Sequence, residues 1–311
     1  MNRSSAPRSI DEYLKQLRAA LEGEDPALIQ DALYDAEEYL RAEVAAHPEK
    51  TEADVLELIA STYGAPEEVA TAYRDTEVKV KAALRTPTPR RTANPSGARR
   101  FFGIFLDPRA YTSLFYMLLT LATGILYFLL VVVGVSLSAG LAILVIGVPF
   151  FLVFIGITRA VSLGEGRLLE AITGERMPRR PVHPGPITGW WSRIGTMLRD
   201  ARTWTTLLYF VLMLPLGILY FVIATIGLSL GLNLALAPLR MLGVDIGWFD
   251  DGHGGPHLAL GPVHLIPHSW IGSLFMLALG MIMLTALMHL ARGIVRGHAR
   301  LAKALLVEPG A

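Results

Sequence analysis

Two kinds of hydrophobic pattern follow each other along the chain, and the change falls near residue 110. Up to residue 84, apolar positions recur at helical spacing with charged residues between them. Ile10, Tyr13, Leu14, Leu17 and Leu21 form one stripe behind Ser9 and Glu12, which stand at capping-box spacing. Asp25 and Pro26 suit the start of a second helix, with Ile29, Leu33, Ala36, Leu40 and Val44 on one side and Asp31, Asp35 and Glu38 on another; His47 and Pro48 end it. Thr51 opens a third helix carrying Val55, Leu58, Ile59 and Thr62, which stops at Gly64. Pro66 starts a fourth, with Val69, Ala70 and Tyr73 facing inward. Four such helices can share one small core, in which Tyr34, Tyr39 and Tyr63 read as packing residues.

Beyond residue 110 the alternation gives way to unbroken apolar runs at about 112–135, 140–158, 206–230 and 270–291. Each approaches the roughly 20 residues that a hydrocarbon core demands. The expected fold class is therefore all-α: a small soluble four-helix N-terminal domain (1–84), a basic, proline-rich linker (85–106) and a four-span transmembrane helix bundle (107–311). Backbone groups in lipid must be satisfied within the segment, so the runs should be helices, with Pro149 and Pro215 tolerated as kinks.

Arginines orient the spans. Arg90, Arg91, Arg99, Arg100 and Arg109 precede the first, eight arginines lie between 159 and 202, and Arg292, Arg296, Arg300 and Lys303 follow the fourth. The other two connections contain only Arg240. The positive-inside rule then predicts a plasma-membrane protein with both termini and the 159–204 segment cytoplasmic, and with the SLSAG turn and the 237–268 loop outside. The two arginine pairs before the first span suit anionic membrane lipids. Trp190 and Trp191, followed by Ile194, Met197 and Leu198 with Arg193 and Arg199 opposite, suggest a short interfacial helix.

The spans repeat. DPRAYTSLFYMLLTLATGILYF at 107–128 returns ninety-three residues later as DARTWTTLLYFVLMLPLGILYF at 200–221, pairing Asp107 with Asp200, Arg109 with Arg202 and Tyr116 with Tyr209. RAVSLGEGRLLEAITGE from 159 aligns with RGIVRGHARLAKALLVE from 292 at an offset of 133. Two parallel two-helix repeat units result, about 107–180 and 200–307, the second enlarged by forty residues in its external loop.

Composition sharpens this picture at three points. There is no cysteine among the 311 residues, so disulfides, thiolate metal sites and a cysteine nucleophile are excluded. Residues 1–86 carry 18 Asp and Glu against 10 Lys and Arg, a surplus that argues against direct nucleic-acid binding. Asp31, Asp35 and Glu38 are then either a solvated face or a docking face for a basic protein partner. No phosphate-binding loop, nucleophile elbow, HExxH or dinucleotide fingerprint is present, so the expectation is a non-enzyme without cofactors.

The external segment GWFDDGHGGPHLALGPVHLIPHSW (247–270) gathers Asp250, Asp251, His253, His257, His264 and His268. Both histidine pairs have i, i+4 spacing, yet Gly254, Gly255, Pro256 and Pro267 break the helices that would align them. Ordinary loop residues, metal ligands and pH-titrating ligand or stimulus candidates all remain open. Within the spans ionisable residues are nearly absent, with His289 the main candidate, which counts against an ion-coupled transporter.

Two resemblances rest on quoted residues. YGAPEEVATAYR (63–74), with Gly64, Pro66, Glu67, Glu68, Val69 and Ala70, resembles the HAAS-type helical signalling domain of bacterial membrane proteins over about 9–75. That resemblance implies association with PadR-like transcription regulators. Pro108, Tyr111, Tyr116, Leu121 and Gly124, with LARGIVRGHARLAKALL (290–306), are similar to the sensor membrane domain of actinobacterial sensor kinases over about 105–307. In those kinases a dimerisation and ATPase region comes after this domain; the expectation is that none does here, so kinase activity is not carried over. The expected function is a non-enzymatic integral membrane signalling protein that senses an envelope or membrane cue and controls a cytoplasmic regulator through its N-terminal domain. The alternative is a membrane subunit of an export system docking a soluble ATPase; homo-oligomerisation is left open.

Overall fold

The computed structural model describes residues 6–84, 97–142, 147–178, 180, 195, 199–248, 258–260, 263–265 and 270–307. Local chemistry sets the first helices. The Ser9 hydroxyl accepts from the Glu12 N–H at 3.2 Å and caps α1 (Ile10–Ala20). Glu12 does not reach back to Ser9 to complete the capping box. Its carboxylate accepts from the Arg8 N–H at 2.9 Å, while a tertiary neighbour, Glu52, takes the first-turn N–H of Ile10 at 2.6 Å. Asp25 accepts from Ala27 N–H at 2.9 Å and heads α2 (Pro26–Ala46), with Pro26 in its first turn. Thr51 and Asp54 close a complete capping box at the start of α3 (Glu52–Ala60), and α4 (Pro66–Leu84) follows.

These four helices bury Tyr13, Leu17, Leu21, Ala36, Leu40, Val55, Ile59 and Ala70 in one core. Tyr39 and Tyr63 stack at 4.4 Å against it. The Tyr13 hydroxyl donates to the Gly64 carbonyl at 2.9 Å, and burial raises its pKa, so it stays a donor.

Downstream come α5 (Gly97–Phe102), a 3-10 turn (Gly103–Leu106), α6 (Pro108–Ala142), α7 (Gly147–Thr173), α8 (Ala201–Ala235), α9 (Ala237–Asp245) and α10 (Trp270–Leu306). The only described strands are β1 (Leu258–Leu260) and β2 (Val263–Leu265), an antiparallel hairpin in an otherwise helical chain. Four helices, α6, α7 from Pro149, α8 and α10, are long and apolar enough to cross a membrane. Between 22% and 39% of each apolar window is buried, so most of its surface faces outward, as with Leu126, Val133, Ile226 and Phe275. Such faces suit hydrocarbon rather than water.

The helices outrun the apolar runs. SLSAG is no turn: α6 continues through it to Ala142, and Ser138 donates back to the Gly134 carbonyl at 2.6 Å. Pro149 is the third residue of α7 and makes no interior kink, because the first turn lacks N–H acceptors in any case. Pro215 does lie inside α8. The expected interfacial helix around Trp190 and Trp191 lies outside the described residues.

The chain divides into two compact units: Met1–Arg91, Val132–Tyr209 and Ala299–Ala311 in one, Thr92–Val131 and Phe210–His298 in the other. In the second, α6 and α8 touch backbone to backbone. A Cβ added at Gly124 would stand 2.5 Å from the Met213 carbonyl oxygen, and one at Gly217 would stand 2.4 Å from the Thr120 oxygen. Both pairs are related by the ninety-three-residue offset, so the GILYF glycines make reciprocal halves of one crossing. Tyr127 stacks on Phe210 at 4.7 Å beside it. Equivalent positions also meet partners related by both offsets: Gly134 faces the Phe154 ring in the first unit, and Gly227 faces Leu287 in the second.

Candidate functional site

In the first unit α7 ends at Thr173, and Gly174 turns the chain with φ +73° after its N–H closes on the Glu170 carbonyl at 2.8 Å. Residues 174–178 then run without regular structure onto the acidic side of α2. Arg176, with its side chain 10% exposed, sits between Asp31 and Glu77, each 6% exposed. Its Nη2 donates to Asp31 Oδ2 at 2.8 Å and its Nη1 to Glu77 Oε2. Asp31 Oδ1 also accepts the backbone N–H of Arg180 at 2.9 Å, and Gln30 Nε2 donates to the Arg180 carbonyl at 2.7 Å. Arg180 Nε lies 2.9 Å from Asp35 Oδ1, with its guanidinium 5.9 Å over the Tyr34 ring. On its other oxygen Asp35 accepts from the Tyr73 hydroxyl at 2.9 Å. Burial above all, then the Asp35 carboxylate, pushes the Tyr73 pKa up, which keeps that donor protonated.

Electrostatically this is a clasp of two guanidinium groups on three carboxylates. Met177 and Pro178 are buried beneath it. Two further ion pairs accompany it: Lys303 Nζ to Asp25 at 2.6 Å, and Arg300 to Glu175 at 3.9 Å. Arg176 Nε and Gln30 Oε1 are buried with no hydrogen-bond partner among the described residues. Gly174→Ala is expected to loosen the clasp by about 1–2 kcal/mol, because an L side chain is disfavoured at that φ. No atom would obstruct the new Cβ, so the effect is conformational, and faster hydrogen exchange at the Arg180 amide would report it.

The structure treats the sequence candidates unequally. Asp31 and Asp35 are brought together with the arginines, while Glu38 stays exposed beside them. His264 lies in β2 with Ala259 as its Cα partner; Asp250, Asp251, His253, His257 and His268 lie outside the described residues. Among the described residues no group of three His, Asp or Glu is placed to hold a metal ion. His289 is exposed, packs on Phe101 at 5.6 Å and reaches the Phe101 carbonyl at 3.2 Å, so its contacts are local packing.

Residues missed in the sequence do the gripping. Glu77, Arg176 and Arg180 look like solvated charges; the signal that could expose them is the match between an acidic domain and the basic 159–202 stretch. Ionisable groups are also buried where α7 and α10 continue past the apolar runs, at positions the sequence did not single out as a site. Glu165 (2% exposed) is 3.4 Å from the Tyr209 hydroxyl, and His298 (2% exposed) packs against Tyr116 at 5.7 Å and stands 3.5 Å from the Tyr220 hydroxyl. Glu165 and His298 occupy one column of the 133-residue alignment, as Tyr116 and Tyr209 share a column at 93. The same pairing recurs in charge: Asp200 binds Arg159 at 3.3 Å in the first unit and Asp107 binds Arg292 at 2.9 Å in the second. Each aspartate also caps its helix, accepting from the Arg109 N–H at 2.9 Å or the Arg202 N–H at 3.0 Å.

Four long apolar helices behind a compact polar helical domain define a multi-pass membrane protein. Residues 116–306, well over half of the chain, match the family described as Putative sensor, and the chain belongs to that family. No curated protein and no solved structure matches it.

Proposed function

We propose that this is a non-enzymatic plasma-membrane signalling protein, in which the membrane helices receive an envelope or lipid-phase cue and a HAAS-like N-terminal domain passes it to a cytoplasmic regulator, of the PadR-like type by resemblance. The observation that carries the reading is the clasp: one residue separates the end of α7 from the segment whose arginines hold α2. A shift of α7 then acts on the acidic face without an intermediary, which is how two packings of a membrane helix can bias a soluble domain. Contact of residues 25–35 with both the post-α7 segment and Lys303 supports placing the N-terminal domain on the same side as these basic segments, the cytoplasmic side by the positive-inside rule.

The test is affinity purification of the full chain from native membranes beside an Asp31→Lys, Asp35→Lys variant. Recovery of a DNA-binding regulator with the wild type and its loss with the variant is the expected result. Recovery of an ATP-binding cassette ATPase instead would move the protein to an export system, and recovery of neither would sink regulator control.

A further inference from the structure

We infer that Asp31, Asp35 and Glu77 form a binding site for an arginine-bearing basic segment of a cytoplasmic partner protein, and that Glu175 to Pro178 with Arg180 occupy this site as a built-in competitor. The inference rests on the signalling reading above and specifies the chemistry of its partner.

Residues 175–178 and 180 are held as a peptide ligand is held. The segment is irregular, and its hold combines side-chain pairs with backbone bonds: Asp31 takes the N–H of Arg180 and Gln30 donates to its carbonyl. The site thus recognises two guanidinium groups four residues apart, with an apolar Met-Pro step packed between them. Arginine suits it better than lysine, because Arg176 spreads one planar fork over two carboxylates and Arg180 lies on an aromatic face.

Several observations make the occupant replaceable. Release needs rotation about Gly174 and no unfolding of α7, since the arginines lie beyond the helix. Arg180 is half-exposed at 52%. Gln30 Oε1 has no hydrogen-bond partner among the described residues, so the internal segment leaves one buried acceptor of the site unfilled. A tethered occupant competes at an effective concentration set by its tether, and a partner's apparent affinity falls by the fraction of sites it fills. Movement of α7 changes that fraction. Charge complementarity commits the occupant to a basic protein segment: with the arginines gone the cluster exposes three carboxylates inside a domain that already has surplus acid.

The full chain in nanodiscs, titrated with a fluorescent synthetic peptide GERMPRRPV that copies residues 174–182, tests this by anisotropy. The Arg176→Ala, Arg180→Ala variant is expected to bind the peptide at least about tenfold tighter than wild type, more weakly as salt rises, and to lose binding when Asp31→Asn is added. Equal binding by wild type and the released variant, or indifference to Asp31→Asn, overturns the site. Arg176→Lys, Arg180→Lys guards against a folding artefact: it keeps the charge, loses the fork and should fall between the two. A concentration-dependent wild-type dimer that exchanges the segment between copies would overturn the choice of occupant. Peptide binding without any regulator recovered from membranes would sink the signalling reading and keep the site; a recovered regulator indifferent to the released variant would do the reverse.

Discussion

Arg176→Ala is expected to separate the N-terminal domain from the segment after α7 and to raise hydrogen exchange at Met177 and Arg180. The expected size follows from burial. Asp31 and Glu77 are both nearly enclosed and share this one guanidinium, and stripping the partner from a buried charge costs about 3–5 kcal/mol while the geometry is held. The molecule avoids that cost by opening, so the loss measured is the docking free energy of the segment, bounded above by that figure. The fully buried residues of the four-helix core make none of the clasp's ion pairs, and protection around Leu17 and Leu40 should be kept. Neutralising all three groups in Arg176→Met, Asp31→Asn, Glu77→Gln should restore much of the docking, because the desolvation of three charges disappears together with their attraction. Exchange at Met177 that stays at the wild-type rate in Arg176→Ala would show that the ionic contacts do not hold the segment.

What the sequence disclosed was short-range chemistry. Ser9, Asp25 and Thr51 announce helix starts because a cap is decided within three residues, and each is found capping. The four apolar runs announce spans because lipid demands an uninterrupted apolar length. The helix ends were less legible: α6 runs through SLSAG, and serine and glycine there keep a helix once its neighbours are helical. The clasp was hidden for a different reason. Arg176 and Asp31 are 145 residues apart, and an excess of acid in one region and base in another predicts attraction without predicting pairs. Asp31 and Asp35 were visible as a face, whereas Glu77 joins them only because α4 packs beside α2.

The same distinction separates Glu165 from the external histidines. Histidines at i, i+4 spacing stand out by eye, yet five of the six loop candidates lie outside the described residues. Glu165 hides between two glycines, and only its alignment with His298, each packed with a tyrosine of the opposite repeat unit, gives it a counterpart. A duplicated scaffold can keep a position and change its chemistry, so a repeat read from identical residues passes over the columns where the copies differ.

Replacing Gly217 with leucine is expected to force α6 and α8 apart. The obstruction at this crossing is backbone: a Cβ at 217 would lie 2.4 Å from the Thr120 oxygen and 3.1 Å from the Leu121 Cα, and no side-chain rotation can relieve that. Overpacking typically costs about 1–3 kcal/mol where side chains can shift; here the helices themselves must separate, so the top of that range or beyond is expected, read as a drop in thermal midpoint in nanodiscs. Gly124→Leu should act alike, since the Met213 carbonyl stands 2.5 Å from its Cβ position. The two glycines obstruct the same approach, so the double variant should lose much less than the sum of the singles, because helices already parted by one leucine have room for the other. Gly156→Leu supplies the control: that glycine is an exposed residue of α7 with nothing within 4 Å of its Cβ position, and leucine there should leave the midpoint unchanged. Additive losses at 124 and 217, or a loss at 156 as large, would mean that close backbone approach is not what joins these two helices.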